Sequence, residues 1–192
     1  MNLKRLIDKA IQAKPLPSLS WLYGDYYSPY YNLMYLLAST IKNGLLVELG
    51  VESGRGLVSL AVGSKGIRTV SKDNHNLIIG LDSNWHPTLN LVLHQYPEIM
   101  FFNWSSLPVP DIITKFGREI GLLHIDTEHS YSMAKAEFEA YKPYLAKGAY
   151  VLFDDLHAQD DDVLRYFNEL PYEKVQDDRL HPSCGYGVMI YE

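Results

Sequence analysis

Two short apolar runs that each stop at carboxylates constrain this chain more than any other feature. Leu122-Leu123-His124-Ile125 runs into Asp126, and Tyr150-Val151-Leu152-Phe153 runs into Asp154-Asp155. Short apolar runs with polar boundaries fit strands buried on both faces, as in a parallel sheet covered by helices. Strand ends of one polarity lie along one edge of such a sheet. Three carboxylates at two strand ends can therefore meet in one crevice.

The rest of the chain alternates between strand and helix patterns. Strands are expected at 45–49, 76–81, 98–103, 122–126, 150–154, 172–176 and 187–191. Helices are expected at 57–62, 87–96, 111–118, 132–144 and 161–170. Two helices precede the first strand. One carries Leu3, Leu6, Ile7, Ala10 and Ile11 on one side. The other opens at Ser28-Pro29, carries Leu33, Leu36, Leu37 and Ile41, and ends at Asn43-Gly44. Alternation of this kind predicts an α/β sheet, parallel through at least five strands, with helices on both faces. Residues 177–186 are too few for a parallel crossover, so the last two strands should form an antiparallel hairpin. The expected architecture is one Rossmann-like domain over 1–192, with a helical cap at 1–44 and a core at 45–192.

Composition narrows the function classes. A length of 192 residues supports one domain with a sizeable core, and a net charge of −6 offers no basic face for nucleic acid. No apolar run is long enough to span a bilayer, and residues 1–9 lack the apolar stretch of a secretion signal. Cys184 is the only cysteine, so no intrachain disulfide can form and a cytoplasmic setting is expected. It has no evident basic partner and is assigned no role. Of fifteen tyrosines, six fall within 23–35: Tyr23, Tyr26, Tyr27, Tyr30, Tyr31 and Tyr35. They read as a packing surface, as an aromatic lid over a ligand, or as part of a homodimer surface.

The first strand leads into Gly50-Val51-Glu52-Ser53-Gly54-Arg55-Gly56. Glycines here allow close backbone approach to a ligand, and the following helix N-terminus favours an anionic group. The spacing is not G-x-G-x-x-G, which argues against a nicotinamide dehydrogenase. Asp82 ends the second strand. An acid there can accept both ribose hydroxyls, or it can make an Asx turn before Ser83-Asn84.

Val47 to Gly56 and Ile79-Gly80-Leu81-Asp82 resemble the first two motifs of class I S-adenosylmethionine-dependent methyltransferases. Ile125-Asp126-Thr127-Glu128-His129-Ser130-Tyr131, with Asp154-Asp155, resembles their metal-dependent O-methyltransferase branch. That branch includes macrolide and aminocoumarin sugar methyltransferases and cephalosporin-hydroxylase-like proteins. The resemblance spans residues 45–155. It implies cofactor contacts at Glu48, Gly50, Ser53, Gly54, Asp82, Asn103, Trp104, Ser105 and Asp126. Glu48 would support the methionine amino end or the glycine loop, and Gly50 and Gly54 would line the methionine. Asp82 would hold the ribose, and residues 103–105 the adenine.

The resemblance also implies a divalent metal, Mg²⁺ or Mn²⁺, on Asp126, Asp154 and Asp155. Hard oxygen ligands suit such ions. Strand-end acids also cap helices, so this reading competes with a structural one. His129 is implied as general base, deprotonating a hydroxyl acidified by the metal, with Asp126 beside it. It can equally be a helix N-terminal residue bonded to a carboxylate. For His157 a structural role is at least as well supported. The family often has glycine where this chain has Thr127. The expected function is methyl transfer to a small sugar or diol. The alternatives are metal-independent transfer and a degenerate domain that binds without catalysis.

Overall fold

A computed structural model describes residues 2–17, 20–23, 27–65 and 75–192. The described elements begin with α1 (Leu3–Gln12), the short α2 (Ser20–Tyr23) and α3 (Tyr30–Ala38). Then come β1 (Leu45–Leu49), α4 (Arg55–Lys65), β2 (Leu77–Leu81), α5 (Leu89–Gln95), β3 (Ile99–Phe102) and α6 (Ile112–Lys115). The chain continues through β4 (Ile120–Ile125), α7 (Tyr131–Tyr141), β5 (Leu145–Phe153), α8 (Asp162–Glu169), β6 (Glu173–Gln176) and β7 (Gly187–Ile190).

The seven strands form one sheet in the order β3-β2-β1-β4-β5-β7-β6. The first five pair in parallel, and β7 runs antiparallel to both β5 and β6. This is the expected Rossmann-like sheet with an antiparallel terminal hairpin. Each face buries a separate apolar layer. Leu33, Met34, Leu37, Leu57 and Val92 of α3, α4 and α5 pack on one side, joined by Leu3 and Ile7 of α1. Ile113, Phe138, Tyr141 and Phe167 of α6, α7 and α8 pack on the other. Strands covered on both faces are mostly apolar, and β1 is buried at all five positions, Glu48 included.

Two elements depart from expectation. The helix expected to reach Asn43 ends at Ala38. The Ser39 and Thr40 hydroxyls turn back to donate to Leu36 and Leu37 carbonyls, and this local bonding competes with helix continuation. Strand β5 starts at Leu145, upstream of its expected start at Tyr150. Lys147-Gly148 sits inside the strand, where the β4–β5 register shifts and Gly148 takes φ +83. The interval after α4 falls largely on residues 66–74, outside the described residues.

Strand order reverses between β1 and β4, so the chain leaves these neighbouring strands toward opposite faces. A crevice opens there beyond the carboxyl ends. Gly50 follows β1 and Asp126 follows β4. A Cβ on Gly50 would lie 1.6 Å from the Asp126 carbonyl oxygen, and its φ is +78, so only glycine lets the two turns close together.

Candidate active site

A cleft of about 810 Å³ lies over this strand edge. Its walls include Gly50, Asp82, Ser105, Asp126, His129, Asp154 and Asp155 among the residues expected at a site. The other expected contacts are not on its lining. Glu48 and Ser53 are buried, Gly54 packs against Leu89 and Val92 of α5, and Trp104 is 61% exposed elsewhere. The Asn103 amide donates to the Asp82 carbonyl at 3.0 Å, bracing the ends of β2 and β3.

Asp82 serves the glycine loop directly. Its Oδ2 accepts the backbone N–H groups of Val51 and Glu52, each at 2.9 Å. Its Oδ1 accepts Asn84 N–H at 2.8 Å, an Asx turn. Three of roughly four acceptor positions are thus used within the protein, leaving capacity for one further donor.

At the other end of the cleft, His129 lies between two acids. Its Nε2 is 3.1 Å from Asp126 Oδ1 and its Nδ1 is 3.2 Å from Asp155 Oδ2. Ionised carboxylates only accept, so satisfying both requires both ring nitrogens to carry protons. The hydrogen bond with Asp126 accordingly raises the His129 pKa against the opposing effect of burial. Burial, and then the nearby Asp154, push the Asp126 carboxyl up to about 7. Both His129 and Asp155 sit at positive φ, of 57° and 51°. These tight turns re-aim their side chains into the crevice.

Asp154 is buried, and its Oδ1 accepts both Asp155 N–H and His181 Nδ1, each at 2.8 Å. His181 also reaches Asp155 Oδ1 at 3.3 Å. Sequence reasoning missed His181 altogether. It sits in the loop between β6 and β7, and the antiparallel return of β7 sets Gly187 opposite Phe153. The loop before β7 is thereby delivered to the acids after β5. The only local signal is a histidine-proline pair in a hairpin connection.

A second pair lies beneath the cleft. Glu48 and His124 are register neighbours on β1 and β4, and His124 Nδ1 is 3.0 Å from Glu48 Oε1. Burial works against a charged His124 ring, but the Glu48 hydrogen bond and the charges of Glu48, Asp126 and Asp154 together outweigh it and raise the pKa. Gly56 makes room for the carboxylate: a Cβ there would lie 1.8 Å from Glu48 Oε1.

Aromatic rings form the remaining wall. Tyr30 and Tyr31 are buried and also line the cleft, so this part of the tyrosine cluster both packs and faces the site. Tyr30 stacks on Tyr186 at 4.7 Å and 12°, and burial raises its hydroxyl pKa well above the ordinary value. Tyr26 and the Tyr23 side chain lie outside the described residues. Trp85, just past Asp82, also lines the cleft and was not foreseen. It meets Phe101 edge-on at 5.4 Å. Thr127, where the family often has glycine, donates its hydroxyl to buried Glu137 of α7 at 2.8 Å, tying the turn to that helix.

Comparison with known proteins agrees with this geometry. A family model described as a methyltransferase domain matches residues 47–156. The chain belongs to that methyltransferase-domain family. The match runs from β1 to just past Asp154-Asp155, so both ends of the cleft lie inside the methyltransferase domain. Among solved structures, a TDP-rhamnose 3'-O-methyltransferase of calicheamicin biosynthesis, CalS11, superposes with a TM-score of 0.67 at 19% identity, covering 98% of this chain and 92% of that one. An O-methyltransferase from Bacillus cereus in complex with SAH gives 0.62 at 12% identity, covering 98% and 91%. These likenesses establish the fold of the methyltransferase domain. An uncharacterized protein of Acanthamoeba polyphaga mimivirus is 26% identical over 141 residues, or 70% of this chain. The alignment spans 62% of that relative's length. Among the described residues, no helix is long and apolar enough to cross a membrane.

Proposed function

We propose that the chain transfers a methyl group from S-adenosylmethionine to a hydroxyl of a small acceptor, with a divalent ion at the acidic end of the cleft. The observation that carries this reading is the convergence of Asp126, His129, Asp154 and Asp155 in one cleft, beside the Gly50 turn that packs against Asp126. Proteins of similar fold include O-methyltransferases, one of them a TDP-rhamnose 3'-O-methyltransferase, which supports an oxygen acceptor.

The donor half rests on backbone geometry. Asp82 holds Val51 and Glu52 in place, shaping the loop before α4, and its remaining acceptor capacity suits a ribose hydroxyl. The Trp85 indole is a platform for the adenine, beside Ser105 on the same wall. Glu48 sits below the turn and supports it from inside.

The residues of the acceptor half fit a cation. Three carboxylates face one crevice, and Asp155 Oδ1, though 3.3 Å from the His181 ring, is buried without a formed hydrogen bond. Donor atoms of Asp126, His129 and Asp155 all lie within 4.8 Å of one another, as do those of His124, Asp126 and Asp154. When bound, a divalent ion supplies charge that lowers a hydroxyl's pKa and orients adjacent oxygens. His129 sits between Asp126 and Asp155, and these acids favour its protonated form. To act as base it would have to be neutral, a form that a divalent ion held by the acids would favour. Asp126 and Asp155 hold the ring at the cleft wall, where it can take the hydroxyl proton. Tyr30, Tyr31 and Met133 restrict the space around that hydroxyl and limit water.

The test is calorimetry with S-adenosylhomocysteine, followed by methyl-transfer assays on sugars and diols with and without EDTA. Binding with EDTA-sensitive transfer is expected. Asp155→Ala should abolish metal-stimulated turnover while leaving S-adenosylhomocysteine affinity intact. A second reading, metal-independent transfer, draws on His129 already serving as counter-charge to the acids. Turnover that survives EDTA favours it.

A further inference from the structure

His124 is the only imidazole among the described residues to combine near-complete burial with a ring nitrogen lacking any hydrogen-bond partner. The residue is 1% exposed, and its Nε2 is unpartnered. An unsatisfied buried polar atom is costly, so a native fold retains one where something else uses it. What surrounds this nitrogen follows from strand register. His124 and Asp126 are two residues apart on β4 and its extension, so they face the same side of the sheet. Ile125 pairs with Phe153, which brings Asp126 level with Asp154 one step further on. Glu48 pairs with His124 across β1. Four side chains therefore share one patch of one sheet face.

Their bonding has the order of a metal ligand and its support. The Glu48 carboxylate accepts Nδ1–H of His124 at 3.0 Å, which fixes the ring and leaves Nε2 for another partner. Histidine ligands are commonly held this way, with a carboxylate behind the ring. A ring nitrogen of His124 and carboxylate oxygens of Asp126 and Asp154 lie within 4.8 Å of one another. An ion at about 2.1 Å from each donor sets them roughly 3 to 4 Å apart, so a small inward movement closes the set. Asp154 is itself oriented by His181 at 2.8 Å. Tyr186, whose hydroxyl is also buried and unpartnered, packs against the His124 ring at 5.9 Å between centroids.

We propose that the cleft binds its divalent ion at an inner position, on Nε2 of His124 and the carboxylates of Asp126 and Asp154, and that Glu48 is the residue positioning the ring. This deepens the metal half of the function proposed above and rests on it. The inner position differs from the all-carboxylate set of Asp126, Asp154 and Asp155, because one ligand is nitrogen. A nitrogen ligand changes the class of ion. Mg²⁺ keeps to oxygen and retains its waters, whereas Mn²⁺, Fe²⁺, Co²⁺ and Zn²⁺ accept imidazole. His129 then remains outside the ligand set, free to exchange a proton with the acceptor.

The experiment uses the full chain with Mn²⁺ as probe, read by calorimetry and by electron spin echo envelope modulation. The expected result is Mn²⁺ binding at least about tenfold tighter than Mg²⁺, following the preference of imidazole-bearing sites. A directly coordinated nitrogen should appear in the echo spectrum. That nitrogen signal should vanish in His124→Gln and persist in His129→Gln, with folding of each variant checked by a cooperative melt. Should His124→Gln fail to fold, Glu48→Gln replaces it. There the nitrogen signal should remain while Mn²⁺ affinity falls by about tenfold or more, as for loss of an outer-shell carboxylate. A nitrogen signal lost in His129→Gln but kept in His124→Gln overturns the proposal, as does Mn²⁺ bound without nitrogen or not bound at all. S-adenosylhomocysteine titration of the same wild-type sample separates the two readings. Failure of that ligand to bind sinks methyl transfer, whatever the ion does. Binding of it without a nitrogen-coordinated ion removes only the inner site.

Discussion

Asp82 accepts three backbone N–H groups before any ligand arrives, from Val51, Glu52 and Asn84. The sequence read this residue as a ribose acid or as an Asx-turn residue, and the structure bears out the Asx turn. The turn that orients Asp82 also lets it shape the glycine loop. Asp82→Ala should therefore destabilise the ligand-free chain by about 2 kcal/mol, the scale for charged hydrogen bonds left unmade. Thermal melts without ligand measure this. An unchanged melting point would mean that the loop holds its shape without the acid. Gly56 offers a sharper residue-scale test. Its missing Cβ leaves room for Glu48, which has nowhere else to go in a full core. Gly56→Ala should cost about 1–3 kcal/mol by overpacking, measurable by denaturant titration. The signal for Gly56 was visible as a third glycine in the turn, but its reason was not. Nothing local links residue 56 to the side chain at residue 48.

Helix α8 shows how an element depends on partners outside itself. Its N-cap, Asp161, sits at φ +61 and makes no capping bond from its own side chain. Instead Asp161 Oδ1 lies 2.6 Å from His157 Nδ1, and His157 Nε2 lies 3.2 Å from Asp178 in the β6–β7 loop. The helix entry is thus tied to the hairpin through one imidazole, the structural role anticipated for His157. Asp161 raises the His157 pKa most, with burial opposing and Asp178 adding to the rise. A raised folded pKa means that the contribution is complete below the unfolded value near 6.5 and is lost as pH climbs through the folded one. The melting-point gap between wild type and His157→Gln should accordingly be widest in mild acid and narrow at alkaline pH. A gap independent of pH would show that the pair contributes only packing. Strand and helix types were readable from apolar periodicity in most of the chain. Their ends were less so. Helix α3 stopped early because Ser39 and Thr40 bonded their own backbone, and β5 began upstream of its expected start, through an irregularity at Gly148.

At the scale of the whole molecule, the terminal hairpin completes the site. Because β7 is antiparallel, the loop before it returns to the carboxyl edge of the parallel strands, where β1, β4 and β5 all end. His181 arrives there and holds Asp154 in a buried contact. His181→Ala should remove roughly 3 kcal/mol of stability, the cost of leaving a buried charge without its partner. It should also weaken Mn²⁺ binding, since Asp154 loses its orientation. Denaturant unfolding with Mn²⁺ calorimetry tests both. Full retention of both would show that Asp154 keeps its place and charge without His181.

The sequence by itself determined the alternation of strands and helices, the glycine turn after β1, and the acids that close β2, β4 and β5. Each of these is a local pattern, written in the periodicity and boundaries of one segment. Only the tertiary structure decided who meets whom: Glu48 with His124, His129 between Asp126 and Asp155, and His181 against Asp154. Those meetings depend on strand order, register and the direction of β7. Such non-local properties arise from packing two apolar layers on one sheet, and no single segment of the chain carries them.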